Sequence, residues 1–133
     1  MSRSDLCTLD EITEMVHSFY ARIRSDEVLG PIFNRHIQDW DKHLAIMVSF
    51  WSSMMLGAGT YDGTPMPKHV ALPGLHADLF KRWLSLFEET TAGLENQEMA
   101  TRANEYAKRI ARSLWFGYQM SHSPNAALQD LDR

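Results

Sequence analysis

The sequence has 133 residues, of which 44% are hydrophobic and 23% charged, so the chain is long enough for one domain and too short for two. The formal net charge of −4 argues against a nucleic-acid-binding domain, and the single cysteine, Cys7, excludes an internal disulfide or a CxxC metal site. Because the sequence has neither a run of about 18 apolar residues nor the apolar segment of a signal peptide, we expect one cytoplasmic domain over residues 1–133.

The first helix is predicted over about residues 9–25, where apolar residues recur three and four positions apart. Thr8 and Glu11 have the T-x-x-E spacing of a capping box at its start. The segment 29–33 contains Gly30-Pro31 and is predicted to be a turn that ends with two apolar residues, Ile32 and Phe33.

A second helix is predicted over about residues 39–56, with two adjacent apolar stripes that indicate burial on two sides. Residues 57–67 include three glycines and two prolines, which excludes regular structure there. Residues 68–72 fit at most one turn of helix before Pro73-Gly74.

Two further helices are predicted over about residues 75–91, ended by Gly93 in the C′ position, and about residues 97–120. The ordered core then spans about residues 9–120, and the polar tail 121–133 is expected to fray. No segment shows strand alternation, so the fold class predicted is all-α.

Four side chains are candidates for chemistry, although each has an ordinary explanation: core packing for Tyr20, His43 and Trp83, and solvation for the loop residue His69. Tyr20 and Trp83 lie on apolar helix faces, where a hydroxyl and an indole N–H need partners. His43 lies on an apolar stripe and His69 in a loop, and neutral imidazole is a common ligand of iron and zinc. The sequence signatures of hydrolases, zinc proteases and phosphate-binding loops are absent, so no catalytic residue is assigned.

A set of motifs in order along residues 9–117 resembles the group III truncated haemoglobins. The motifs are Phe19-Tyr20, Leu29-Gly30-Pro31-Ile32-Phe33, Trp40-x-x-His43, Phe50-Trp51, Tyr61-x-Gly63-x-Pro65, Lys68-His69-x-x-Leu72-Pro73 and Phe80-x-x-Trp83-Leu84-x-Leu86-Phe87. Each motif is weak alone, whereas the ordered set with its spacings is specific.

The resemblance implies a truncated globin fold, a two-over-two helical sandwich around haem b. It makes His69 the protein ligand of the iron, and it places Tyr20, His43 and Trp83 on the distal side, where ligands bind. Trp51 would support the second helix from behind. The residues that the resemblance places against the cofactor are Phe33, His43, Met47, His69, Leu72, Phe80 and Trp83.

Such a protein would bind O2, NO or CO. Because O2 gains partial negative charge on ferrous haem, each hydrogen-bond donor aimed at it stabilises the bound state by about 1.5–3 kcal/mol. Two donors favour O2 held for redox chemistry, such as a nitric oxide dioxygenase or peroxidase-like role with an unidentified reductase, over O2 transport.

Two alternatives belong to other classes. One is a haem-free helical interaction or sensory module, whose Trp and Met residues form an ordinary core. The other is a non-haem metal enzyme with a histidine ligand, which lacks a carboxylate placed for a facial triad.

Overall fold

The computed structural model describes residues 6–57, 74–123, 125 and 127–131. Within these ranges it consists of helices and irregular segments without a strand, which confirms the all-α prediction. The helices described are α1 (Leu9–Ser25), α2 (Leu29–His36), α3 (Trp40–Leu56), α4 (Ala77–Ala92) and α5 (Gln97–His122). None of them is both long and apolar enough to cross a membrane.

Helix α1 begins at the predicted capping box. The Thr8 hydroxyl accepts a hydrogen bond from the Glu11 N–H at 3.1 Å, and the Glu11 carboxylate accepts one from the Thr8 N–H at 2.8 Å. The inner face of α1 is fully buried and includes Ile12, Val16 and Phe19. Two backbone N–H groups that the helix itself leaves unpaired are thus hydrogen-bonded within four residues. The sequence can therefore predict where α1 begins.

The predicted turn at residues 29–33 is wrong, because these residues form the first part of α2. Pro31 lies in the first turn, where its missing N–H costs no helical hydrogen bond. Gly30 allows α2 to start against the end of α1, since a Cβ at Gly30 would lie 2.7 Å from the carbonyl oxygen of Arg24. Asp26 supplies the cap, as its carboxylate accepts the N–H groups of Val28 and Leu29.

Glycine follows two of the long helices, with different geometry. Gly57 ends α3 in the left-handed region, with a φ of 68°. Gly93 ends α4 with a φ of −87°, so the predicted C′ glycine cap is wrong at this position. The Leu94 N–H instead donates to the Thr91 carbonyl, which continues the turn in ordinary right-handed geometry.

The helices pack as two layers. Helix α1 contacts α2, α3 and α4, and α4 packs along α5. Small buried residues on α5, among them Ala103, Ala107 and Ala111, allow the backbone of α4 to approach closely. Helices α1 and α3 therefore form one pair and α4 and α5 the other, and α1 joins the two layers.

The expected fraying of the C-terminal tail is wrong for residues 127–131. Gln119 exchanges two hydrogen bonds with the backbone of Gln129, at 2.8 and 2.9 Å. Arg112 donates two hydrogen bonds to Asp130, and Leu131 is buried in a cluster with Trp115. Polar side chains hold this segment against α5. The lack of apolar periodicity in the sequence therefore did not mean that the segment is frayed.

Candidate functional site

A cavity of about 540 Å³ lies between the two helical layers. Each of the five helices described contributes to its wall, and most of the lining is aliphatic or aromatic. The lining residues are Tyr20, Leu29, Ile32, Phe33, His36, Ile37, Gln38, Asp39, Lys42, His43, Ile46, Met47, Phe50, Trp51, Leu75, Leu79, Phe80, Trp83, Ile110, Ala111 and Leu114. Its volume lies within the range of roughly 300–1,000 Å³ that is typical of cofactor and small-molecule pockets.

The structure brings most of the sequence-predicted site residues to this cavity. Those that line it are Tyr20, Phe33, His43, Met47, Phe80 and Trp83. His69 and Leu72, predicted to hold the iron and to contact the cofactor, lie outside the described residues, as does the predicted short turn at 68–72.

Tyr20 faces the cavity from α1 and is 5% exposed. Burial raises the pKa of its hydroxyl above the usual value, so the group stays protonated and available as a donor. Its ring meets the ring of His43 edge-on, with centroids 5.3 Å apart. The hydroxyl makes no hydrogen bond to any residue in the part of the chain described.

Trp83 faces the same cavity from α4 and is half-buried. Its ring stacks on Phe87 at 5.9 Å, and Phe87 stacks on Trp51 at 5.2 Å. Phe19 packs edge-on against Trp83 at 5.2 Å and against Tyr20 at 5.1 Å. The Trp83 indole N–H likewise has no hydrogen-bond partner within the described ranges, so two donors face one apolar space.

His43 is enclosed by aromatic rings. It packs edge-on against Tyr20 and, at 5.7 Å, against Trp40. Trp40 is itself fixed, because its indole N–H donates to Asn34 at 3.1 Å and the Arg24 guanidinium lies 4.5 Å from its ring centroid. These contacts hold the imidazole at the cavity wall beside Tyr20.

The polar part of the lining lies where α2 meets α3. His36, Asp39 and Lys42 are exposed there, and the Asp39 carboxylate accepts the Lys42 N–H as the cap of α3. A ligand with a flat apolar body and a polar edge would match this arrangement. Among residues 6–57 and 74–131 as described, no group of three or more His, Cys, Asp or Glu side chains could hold a metal ion.

Sequence reasoning missed the wall that α5 provides. Ile110, Ala111 and Leu114 line the cavity, although the sequence indicated only that Ile110 and Leu114 belong to an apolar stripe. Apolar periodicity marks a buried face and does not tell a cavity wall from a packed core. The apolar periodicity of α5 was therefore visible in the sequence, but it did not show that this face lines a cavity.

Comparisons with known proteins agree with this arrangement. No protein-family model matches the sequence. The chain is 39% identical over 106 residues to the group 3 truncated hemoglobin ctb of Campylobacter jejuni, covering 77% of this chain and 84% of that protein. The fold superposes on the crystal structure of a group III truncated hemoglobin from Campylobacter jejuni with a TM-score of 0.79 and 33% identity, covering 96% of this chain and 100% of that one. The chain belongs to the group 3 truncated haemoglobins.

Proposed function

We propose that the cavity binds haem b and that the protein binds O2, NO or CO there. The proposal rests on two hydrogen-bond donors, the Tyr20 hydroxyl and the Trp83 indole N–H, which face one largely apolar cavity of about 540 Å³. Neither donor has a hydrogen-bond partner among the described residues. The relatives named above are truncated haemoglobins, which supports the cofactor assignment. When bound, haem supplies an iron that takes up diatomic gases and exchanges one electron.

Several residues of this chain would hold the haem. Phe33, Met47 and Phe80 line the cavity and offer apolar contact to the flat faces of the macrocycle. His69 and Leu72 remain proposed contacts on the resemblance alone, with His69 as the iron ligand through a neutral imidazole nitrogen. A thiolate ligand is not proposed, because Cys7, the single cysteine, is buried among Leu6 and other residues of the core.

Tyr20 and Trp83 would select among ligands. Each donates one hydrogen bond, and a bond to a ligand with partial negative charge contributes about 1.5–3 kcal/mol. On a haem iron O2 would carry such charge and CO far less, so the Tyr20 and Trp83 donors would retain O2 preferentially. His43, held against Tyr20 at the wall, would control ligand access rather than retain O2.

Two retaining donors suit chemistry on O2 better than its delivery. A nitric oxide dioxygenase role combines NO, O2 and one electron to give nitrate, and the electron would come from a reductase that we propose as partner. A peroxidase-like role uses the same donors toward peroxide. Kinetics on the reduced protein separate the nitric oxide dioxygenase role from simple binding, because NO added in the presence of bound O2 must then yield nitrate in equal amount.

The first experiment is the absorption spectrum of the purified protein, with and without added haem. An intense Soret band at one haem per chain supports the proposal, and O2 and CO dissociation rates then measure the preference between the gases. A folded helical protein that stays colourless after haem is added would favour the alternative, a haem-free interaction or sensory module.

A further inference from the structure

The carboxylate of Asp26 connects three helices that line the cavity, α1, α2 and α4. Asp26 Oδ2 accepts the N–H groups of Val28 at 3.1 Å and Leu29 at 2.8 Å, at the start of α2. The same side chain accepts two hydrogen bonds from Arg82 on α4, from Nε at 2.7 Å and from Nη2 at 2.9 Å. Asp26 is also the C-cap residue of α1. The Asp26 side chain is 8% exposed and that of Arg82 is 39% exposed, so the carboxylate is shielded from solvent whereas the guanidinium is partly exposed.

Each of the three helices joined at Asp26 carries a residue of the cavity wall: Tyr20 on α1, Phe33 on α2 and Trp83 on α4. We propose that Asp26 and Arg82 are positioning residues, which set where the Trp83 indole lies relative to the Tyr20 hydroxyl. Through this placement they set the preference for O2 over CO, an inference that rests on the proposed function.

The geometry of the Asp26–Arg82 pair favours a positioning role over a role of charge attraction alone. A guanidinium bound through two nitrogens to both carboxylate oxygens fixes orientation as well as distance, because both groups are planar. Arg82 and Trp83 are neighbours in α4, so a displacement of this part of α4 after loss of the pair would move the Trp83 indole with it. A lysine ammonium at this position keeps the charge and loses the fixed orientation.

The surroundings of the junction leave α1 and α2 little freedom to compensate. Gly30 lies against the Arg24 carbonyl so closely that a Cβ would meet it at 2.7 Å. Phe19 on α1 packs edge-on against Trp83 at 5.2 Å, so a displacement of α4 would change the position of the Trp83 ring relative to α1. We therefore expect the adjustment after loss of the pair to fall on α4 and hence on Trp83.

The test compares Arg82→Lys with the matched control Arg112→Lys. Arg112 makes the same two-nitrogen contact to Asp130, at 3.1 and 2.9 Å, and does not line the cavity. In the haem-loaded protein, Arg82→Lys should raise the O2 dissociation rate roughly threefold to tenfold, part of the effect of losing a donor altogether. It should shift the infrared stretching frequency of bound CO, which reports on nearby donors, and leave the CO dissociation rate almost unchanged.

Arg112→Lys should leave both dissociation rates and the CO stretching frequency at their original values. In a Trp83→Phe background, Arg82→Lys should have no further effect on O2 dissociation, because the donor it positions is absent. Should Arg82→Lys prove too unstable to purify, Asp26→Asn provides the same measurements, since it keeps an acceptor and loses the charge.

Two results overturn the inference. One is a lower melting temperature for Arg82→Lys with an unchanged ratio of O2 to CO dissociation rates and an unchanged CO stretch. The other is an equal effect of Arg82→Lys with and without Trp83. Failure of the proposed function looks different, because the parent protein would then bind no haem and show no Soret band.

Discussion

Replacing Trp83 with phenylalanine separates its packing from its polarity. Phenylalanine retains the edge contact with Phe19 and the stack on Phe87, which are at 5.2 and 5.9 Å in the native protein. A swap that preserves most of the aromatic volume costs less than about 1.5 kcal/mol of stability. The indole N–H, which no described residue accepts, is lost entirely.

If that N–H donates to a negatively polarised ligand, its removal costs about 1.5–3 kcal/mol of binding. At 1.4 kcal/mol per decade, the O2 dissociation rate should rise roughly tenfold to hundredfold. CO gains little charge, so its dissociation rate should change much less. Stopped-flow replacement of each gas, monitored at the Soret band, measures both rates on the same protein.

Trp115→Phe is the matched control. Trp115 is 6% exposed, does not line the cavity, and its indole N–H has no hydrogen-bond partner within the described ranges. This variant should leave both dissociation rates unchanged. Equal changes for O2 and CO in Trp83→Phe, or no change for O2, would make Trp83 a packing residue and refute the donor role.

Three further predictions follow from the site and its junction. His69→Ala should lose haem or hold it weakly, with recovery by added imidazole; an unchanged ferrous spectrum, together with haem loss in His43→Ala, would mean that the two faces are reversed. His43→Leu should change the association rates of O2 and CO more than their dissociation rates, measured by flash photolysis, and much faster O2 release with unchanged association would contradict this. Asp26→Asn should lower the free energy of unfolding at pH 6 by about 1 kcal/mol, a figure reduced for solvent screening. Hydrogen bonds from Arg82, and then from the Leu29 and Val28 N–H groups, lower the Asp26 pKa from 3.8 to about 2, so this difference is complete above about pH 4 and disappears as the pH falls toward 2. Urea unfolding at pH 6 and pH 2.5 measures it, and an equal difference at both values would be inconsistent with the ion pair.

The long helices were predictable because their signals are local. The capping box of Thr8 and Glu11 is complete within four residues of sequence, and α1 begins where it indicates. Apolar spacing predicted α3, α4 and α5 close to their observed bounds, since apolar residues recur at helical spacing along each of them. The motif set likewise predicted the family, because it needs only residue types and spacings along the chain.

Helix α2 and the C-terminal segment were not predictable in this way. The start of α2 depends on Gly30 meeting the backbone of Arg24, and the Asp26 carboxylate that accepts its first N–H groups is held by Arg82, which is distant in sequence. The tail is held by hydrogen bonds between Gln119 and Gln129 that no periodicity reveals. Both depend on which groups the packing of other elements brings within reach.

The sequence by itself determined that the chain is helical, which faces are apolar, and which of its residues belong to the family pattern. It left open whether Tyr20 and Trp83 are core residues or donors, because hydrophobic burial is non-directional and both interpretations require an apolar face. The tertiary structure decided that Tyr20 and Trp83 line one cavity, by packing α1 against α4 with Phe19 in contact with both residues. Convergence of this kind is a property of helix packing, since the two residues lie on different helices and no local spacing encodes the distance between them.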